Sequence, residues 1–141
     1  MKKKSTLANL IEGPVYFAAG FHRKDEIKDY ADEFVCTTEI GVCSSWIHTK
    51  EKEEKVTEHR KSVIALQEIK EVKEANTIIC FTEARDEHTT AGHHIEYGIA
   101  VGANKKLIVV GERSTVFYFL PQVHQFNDWP EFMETIKAMM K

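Results

Sequence analysis

The residues with the most chemical promise lie in Thr89-Thr90-Ala91-Gly92-His93-His94-Ile95-Glu96-Tyr97-Gly98. An apolar, β-branched run, Thr77-Ile78-Ile79-Cys80-Phe81, precedes them and reads as a buried strand. The polar residues 82–90 form the loop beyond it, and a helix begins near Gly92 and carries Glu96 in its first turns. In an open α/β sheet, ligands bind outside the carboxyl ends of the strands, where helix N-termini favour anions. Glu96 is then a carboxylate standing where a ligand sits. A carboxylate in a water-poor crevice can attack an electrophilic sugar carbon, as retaining glycoside chemistry does through a covalent intermediate. A phenol beside it would orient it, and Tyr16 is the candidate. The same residues also fit plainer roles: Thr90 as a helix cap, Glu96 as a first-turn acid, Tyr16 as a packed aromatic.

The elements that must position these residues alternate along the chain. Val15-Tyr16-Phe17-Ala18-Ala19 is an apolar first strand, followed by a turn at residues 20–23 and a helix over 25–34. A second strand is expected within 39–46, where apolar content is low. A long helix is expected over 51–75, with Val56, Val63, Leu66, Ile69 and Val72 on one face and the acids Glu68, Glu71 and Glu74 among its solvated charges. Strand three is 77–81, and a helix runs from about Gly92 to Gly102. Strand four is 107–111, a weak fifth strand lies at 122–126, and a last helix covers 129–140. Between the last two strands runs an apolar connection at 114–120. The pattern predicts a flavodoxin-like or Rossmann-like three-layer α/β sandwich with a five-stranded parallel sheet in the order 2-1-3-4-5. Residues 1–13 read as an N-terminal extension and 14–141 as a single domain.

Composition narrows the partners. The chain has 141 residues, 43% hydrophobic and 29% charged, and a net charge of −3. That balance suits a small ligand rather than a nucleic-acid polymer. Three cysteines without metal-type spacing suggest reduced, buried thiols in a cytoplasmic protein. No apolar run is long enough to span a membrane. His88, His93 and His94 beside Glu96 lack a second Glu-x-x-His partner, so no metal is expected; no G-x-G-x-x-G follows strand one, so no dinucleotide or other cofactor is expected.

With these residues in hand, the chain resembles the nucleoside 2-deoxyribosyltransferase family and the related deoxynucleotide N-glycosidases, from Val15 to the last helix. Residues 15–21 resemble the family's first strand and binding loop, whose tyrosine contacts the nucleophile. Residues 66–76 resemble the helix that leads into its third strand, and 90–98 the segment ending in its nucleophilic glutamate. Residues 109–117 followed by Leu120-Pro121 resemble a late strand and loop. The resemblance implies that Glu96 is the nucleophile, Tyr16 its orienter and Glu68 the holder of the sugar. Thr90, Gly92 and Gly20 would line the sugar or anion end, with Arg23 adding charge, and Phe21 and Trp46 would stack on the base. It also implies a homodimer or higher homo-oligomer in which Ser114 and Thr115 reach a neighbouring pocket. Three departures stand out: Glu68 and Asn76 where the family has aspartate, and Thr90 where transferases have a sugar-binding aspartate and the N-hydrolases a serine. A hydroxyl at Thr90 favours a 5′-phosphate. The implied activity is cleavage or transfer at the N-glycosidic bond of a nucleoside or its 5′-monophosphate. A nucleotide-binding or sensing module without turnover fits the altered residues too, and an FMN-binding protein shares the fold class.

Overall fold

The computed structural model describes residues 7–51, 55–82 and 91–141. Four parallel strands, β1 (Val15–Ala18), β2 (Thr77–Phe81), β3 (Lys106–Val110) and β4 (Val123–Phe126), form one sheet in the order β1-β2-β3-β4. Val15 pairs with Thr77, Thr77 with Lys106, and Leu107 with Val123. The helices α1 (Lys24–Thr38) and α2 (Glu58–Glu74) lie between β1 and β2, α3 (Gly92–Gly102) between β2 and β3, a 3-10 turn (Val116–Phe119) between β3 and β4, and α4 (Trp129–Met139) follows β4. Each passage between paired parallel strands returns the chain to the same end of the sheet, as parallel pairing requires.

Among the described residues the sheet has four strands, not five. The expected strand within 39–46 is reduced to a single parallel bridge between Val15 and Val42, made by Val15 N to Gly41 O and Cys43 N to Val15 O, both 2.9 Å. Beyond it, Ser44 Oγ accepts from Phe17 N, and Ser45–His48 winds into a 3-10 turn. Side-chain anchoring thus replaces further ladder pairing. The bridge lies on the outer edge of β1, the place expected for a second strand.

Strand alternation sends neighbouring side chains to opposite faces. Phe17 points to the face covered by α1 and α4, where its ring lies 5.7 Å from Phe34, 5.5 Å from Phe81 and 6.0 Å from Trp129. Tyr30 stacks on Trp129 at 4.7 Å, and Trp129 Nε1 donates to Glu33 at 2.8 Å. Tyr16 points to the other face, where α2 and α3 pack together and α3 lies against β1, β2 and β3. The helices therefore lie on both faces. Leu10 and Ile11, read as part of an extension, join the core. The described residues include no helix long and apolar enough to cross a membrane. No disulfide joins the cysteines to one another; Cys80 is buried, Cys43 half-buried and Cys36 exposed.

The α2 helix starts at Glu58, later than expected, where Thr57 caps it by accepting from Arg60 N. Its apolar stripe is not a core stripe throughout. Val72 is fully buried, but Leu66 is 66% and Val63 38% exposed. Glu71, expected on the solvated face, is buried instead. At the far end of β3, Gly111 adopts φ +117°, and a Cβ there would collide with the Thr82 hydroxyl. Glycine lets the chain leave β3 closely beside the end of β2.

Candidate functional site

The site is built from the ends of β1 and β2 and the two helices on the Tyr16 face. A cleft of about 710 Å³ opens there. Ala19 and Phe21 line it after β1, Ser45, Trp46, His48 and Thr49 at the edge, Val56 just before α2, Val63, Gln67 and Glu68 along α2, and Gly92, His93 and Glu96 on α3. Val63 thus faces the cleft, while Leu66 lies outside its lining.

At its floor, Tyr16 and Glu96 meet, as the sequence led one to expect. The Tyr16 hydroxyl donates to Glu96 Oε2 at 2.5 Å, the short range of bonds to an ionised acceptor. Tyr16 is fully buried and Glu96 is 8% exposed. Burial, then the charges of Glu96 and Glu68, hold the Tyr16 phenol well above its usual value, so it stays a donor. Glu68 reaches the same point from α2, and its carboxyl shares a hydrogen bond with Glu96. Burial raises both. Glu96 is pushed up to about 8, by burial first and then by the charge and hydrogen bond of Glu68, against the lowering effect of Tyr16. Two carboxyls this close cannot both ionise cheaply, so the pair shares a proton near neutrality.

Glu71 is the residue that reading the sequence missed. It lies three residues after Glu68, on the same helical face, and is 5% exposed. Its Oε1 accepts from Ser45 N at 3.0 Å and its Oε2 from Gln67 Nε2 at 2.7 Å. It therefore pins the 3-10 turn that carries Trp46 to the helix that carries Glu68.

The remaining expected residues divide. Trp46 is buried, donates Nε1–H to Phe17 O at 2.8 Å, and lies 6.3 Å from the Phe21 ring, so both aromatics share one wall. Gly92 opens α3 with free space where a Cβ would stand. Gly20 has ordinary extended backbone, φ −61° and ψ 139°, ahead of the 3-10 turn Phe21–Arg23. Arg23 is held by Glu26 through a two-pronged pair at 2.8 and 3.0 Å and by the Thr82 carbonyl at 3.2 Å. It stands at the carboxyl end of β2 with its guanidinium engaged by protein. Ser114 and Thr115 lead into the 3-10 turn Val116–Phe119, away from the residues lining this cleft. Thr90 and His88 lie outside the described residues; the residue at the α3 cap is Ala91, which supplies no side-chain hydrogen bond. Among the described residues, no group of three or more His, Cys, Asp or Glu side chains could hold a metal.

Comparison with known structures meets this geometry. No family model matches the sequence, and no curated protein does. Solved structures do match, two of them over most of their length as follows. The CMP N-glycosidase BcmB of Clostridium botulinum is 18% identical, with a TM-score of 0.57 over 88% of this chain and 98% of that one. A 2-deoxyribosyltransferase from the psychrotolerant bacterium Bacillus psychrosaccharolyticus is 17% identical, with a TM-score of 0.63 over 84% of this chain and 88% of that one. The chain shares their α/β fold. At these identities the likeness is one of fold, and the reading of the cleft rests on its own residues.

Proposed function

We propose that this protein cleaves or transfers at the N-glycosidic bond of a nucleoside or nucleoside 5′-monophosphate, with Glu96 as nucleophile. The observation that carries the reading is the buried Glu96 carboxyl at the floor of the cleft, fixed by Tyr16 at 2.5 Å and paired with Glu68. The two solved structures of the same fold, named as a CMP N-glycosidase and a 2-deoxyribosyltransferase, support it.

The chemistry follows from one proton shared by two carboxyls. Once ionised, Glu96 attacks the anomeric carbon as the bond to the base nitrogen breaks, and the base leaves with the electron pair and takes a proton from water. Water or a second base then attacks the same carbon, releases Glu96 as carboxylate and gives up a proton to solvent. Tyr16 keeps one Glu96 oxygen engaged, so the other is aimed at the sugar. Phe21 and Trp46 offer flat apolar surface to a base. The test is free-base release from a panel of nucleosides and 5′-monophosphates, run beside calorimetric binding. Release supports the reading; tight binding without release overturns it in favour of a binding module.

The shared proton gives a pH prediction. Because Glu96 is held up to about 8 and must ionise to attack, kcat/KM should rise as pH approaches 8. Glu68→Gln removes a neighbouring negative charge, so the limb should move to lower pH even as the rate falls. A limb that stays in place would show that Glu68 does not set the ionisation of Glu96.

We extend the proposal to a homodimer. Val116, Phe117 and Phe119 are 76%, 61% and 60% exposed in one short turn, held from beneath by buried Tyr118 and by Tyr97 Oη donating to Phe117 O at 2.7 Å. Rigid, clustered apolar side chains of this kind suit a covered surface. Light scattering at micromolar concentration should report twice the 16.2 kDa chain mass. A stable monomer would remove this part of the account.

A further inference from the structure

Among the described residues, one side chain lining the cleft is buried without a hydrogen-bond partner. His93 is 2% exposed, and neither of its ring nitrogens has a hydrogen-bond partner among those residues. It lines the cleft together with Glu96, three residues further along α3 and on the same face. Its ring lies 4.0 Å from that of His94, whose Nδ1 is engaged by the Tyr118 hydroxyl at 2.9 Å. His93 is therefore backed by a fixed ring. Burial first, then the neighbouring His94, Arg23 and His22, push its pKa down to about 4. At neutral pH it is a neutral imidazole with one N–H donor and one bare nitrogen acceptor. Buried polar groups without partners are rare in folded proteins, and those that persist call for a functional reason.

We propose that His93 is a specificity-determining contact, whose imidazole hydrogen-bonds an oxygen at the 5′ end of the sugar of a bound nucleoside or nucleotide. This rests on the N-glycosidic reading. If Glu96 faces the anomeric carbon, a residue three positions earlier lies about 4.5 Å back along the helix axis, towards its N-terminus. A furanose ring with its exocyclic carbon bridges such a distance. Phe21 and Trp46, the surfaces suited to a base, come from other segments of the lining, which leaves the first turn of α3 to the sugar. The 5′ oxygen belongs either to a hydroxyl or to a phosphate, and both can accept the imidazole N–H.

The experiment compares wild type with His93→Leu in two measurements. The first is thermal unfolding without ligand. Leucine fills the buried position and removes two unpaired polar atoms, so the variant's Tm should stay level or rise by about 2–5 °C. A purely structural histidine would give a clear fall. The second is calorimetric binding of cytidine, 5′-deoxycytidine and CMP. Cytidine or CMP should bind about tenfold more weakly to the variant, from loss of one hydrogen bond, while 5′-deoxycytidine is unchanged. Selective loss for cytidine assigns the hydroxyl, and for CMP alone the phosphate. A marked fall in Tm, or equal losses for all three ligands, or none, overturns the assignment of His93. Wild-type protein that neither binds nor cleaves any member of the nucleoside and 5′-monophosphate panel overturns the N-glycosidic reading itself.

Discussion

Glu96→Gln is expected to abolish base release, by about a thousandfold or more, while the fold is kept and the protein becomes more heat-stable at pH 8. The amide is nearly isosteric and can still accept the Tyr16 hydrogen bond. It cannot attack a sugar carbon. The stability change follows from proton linkage. The Glu96 carboxyl is raised in the folded protein to about 8, well above the roughly 4.3 of an unfolded glutamate. A raised carboxyl gives stability that is fully present below the unfolded value and lost as pH climbs through the folded one. Glutamine has no such loss. The Tm of the variant should therefore match wild type near pH 4 and exceed it progressively towards pH 8. Equal Tm values across that range would show that Glu96 does not bear the cost of burial described here.

Phe17→Ala is expected to cost about 3–5 kcal/mol of stability, the largest effect of any single truncation on the α1–α4 face. Phe17 is fully buried and touches the rings of Phe34, Phe81 and Trp129, which belong to α1, β2 and α4. The cavity would open where three elements meet, and each is fixed by regular backbone bonding, so collapse around it is restricted. Against a typical total of about 5–15 kcal/mol this is a severe loss. Urea unfolding should show a lowered midpoint with an unchanged slope. A loss below about 1 kcal/mol would mean that the aromatic cluster does not hold these layers together.

Much of the site was legible because its residues sit on regular elements. Tyr16 lies in an apolar strand, Glu96 in the first turns of a helix that follows a buried strand, and their meeting follows from the position of the two carboxyl ends in a parallel sheet. Glu68 was legible only through a resemblance, because an acid among Glu71 and Glu74 carries no local mark of burial. Glu71 was misread for that reason: its burial depends on Ser45 N, an atom that only the tertiary fold brings to it. The edge strand failed on a similar point. Val42 pairs with Val15, but Ser44 and Trp46 hydrogen-bond to the backbone of Phe17 and turn the chain away. The α2 stripe was read as one helical face, and in the fold that face divides: Val72 is buried, Val63 lines the cleft and Leu66 is exposed. A helical period marks which residues share a face, while a core and an apolar cleft wall demand the same pattern. His93 was weighed only as a metal ligand, since a lone histidine reveals nothing about whether its nitrogens will find partners.

The central claim is that Glu96 becomes covalently attached to the sugar. The most direct measurement is peptide mapping by mass spectrometry after rapid quenching with a 2-fluoro nucleoside or its 5′-monophosphate, whose fluorine slows breakdown of a glycosyl-enzyme. The account predicts a mass increase equal to the sugar, or sugar phosphate, on the peptide containing Glu96, and none in Glu96→Gln. An adduct on another residue, or base release by Glu96→Gln at the wild-type rate, would contradict it.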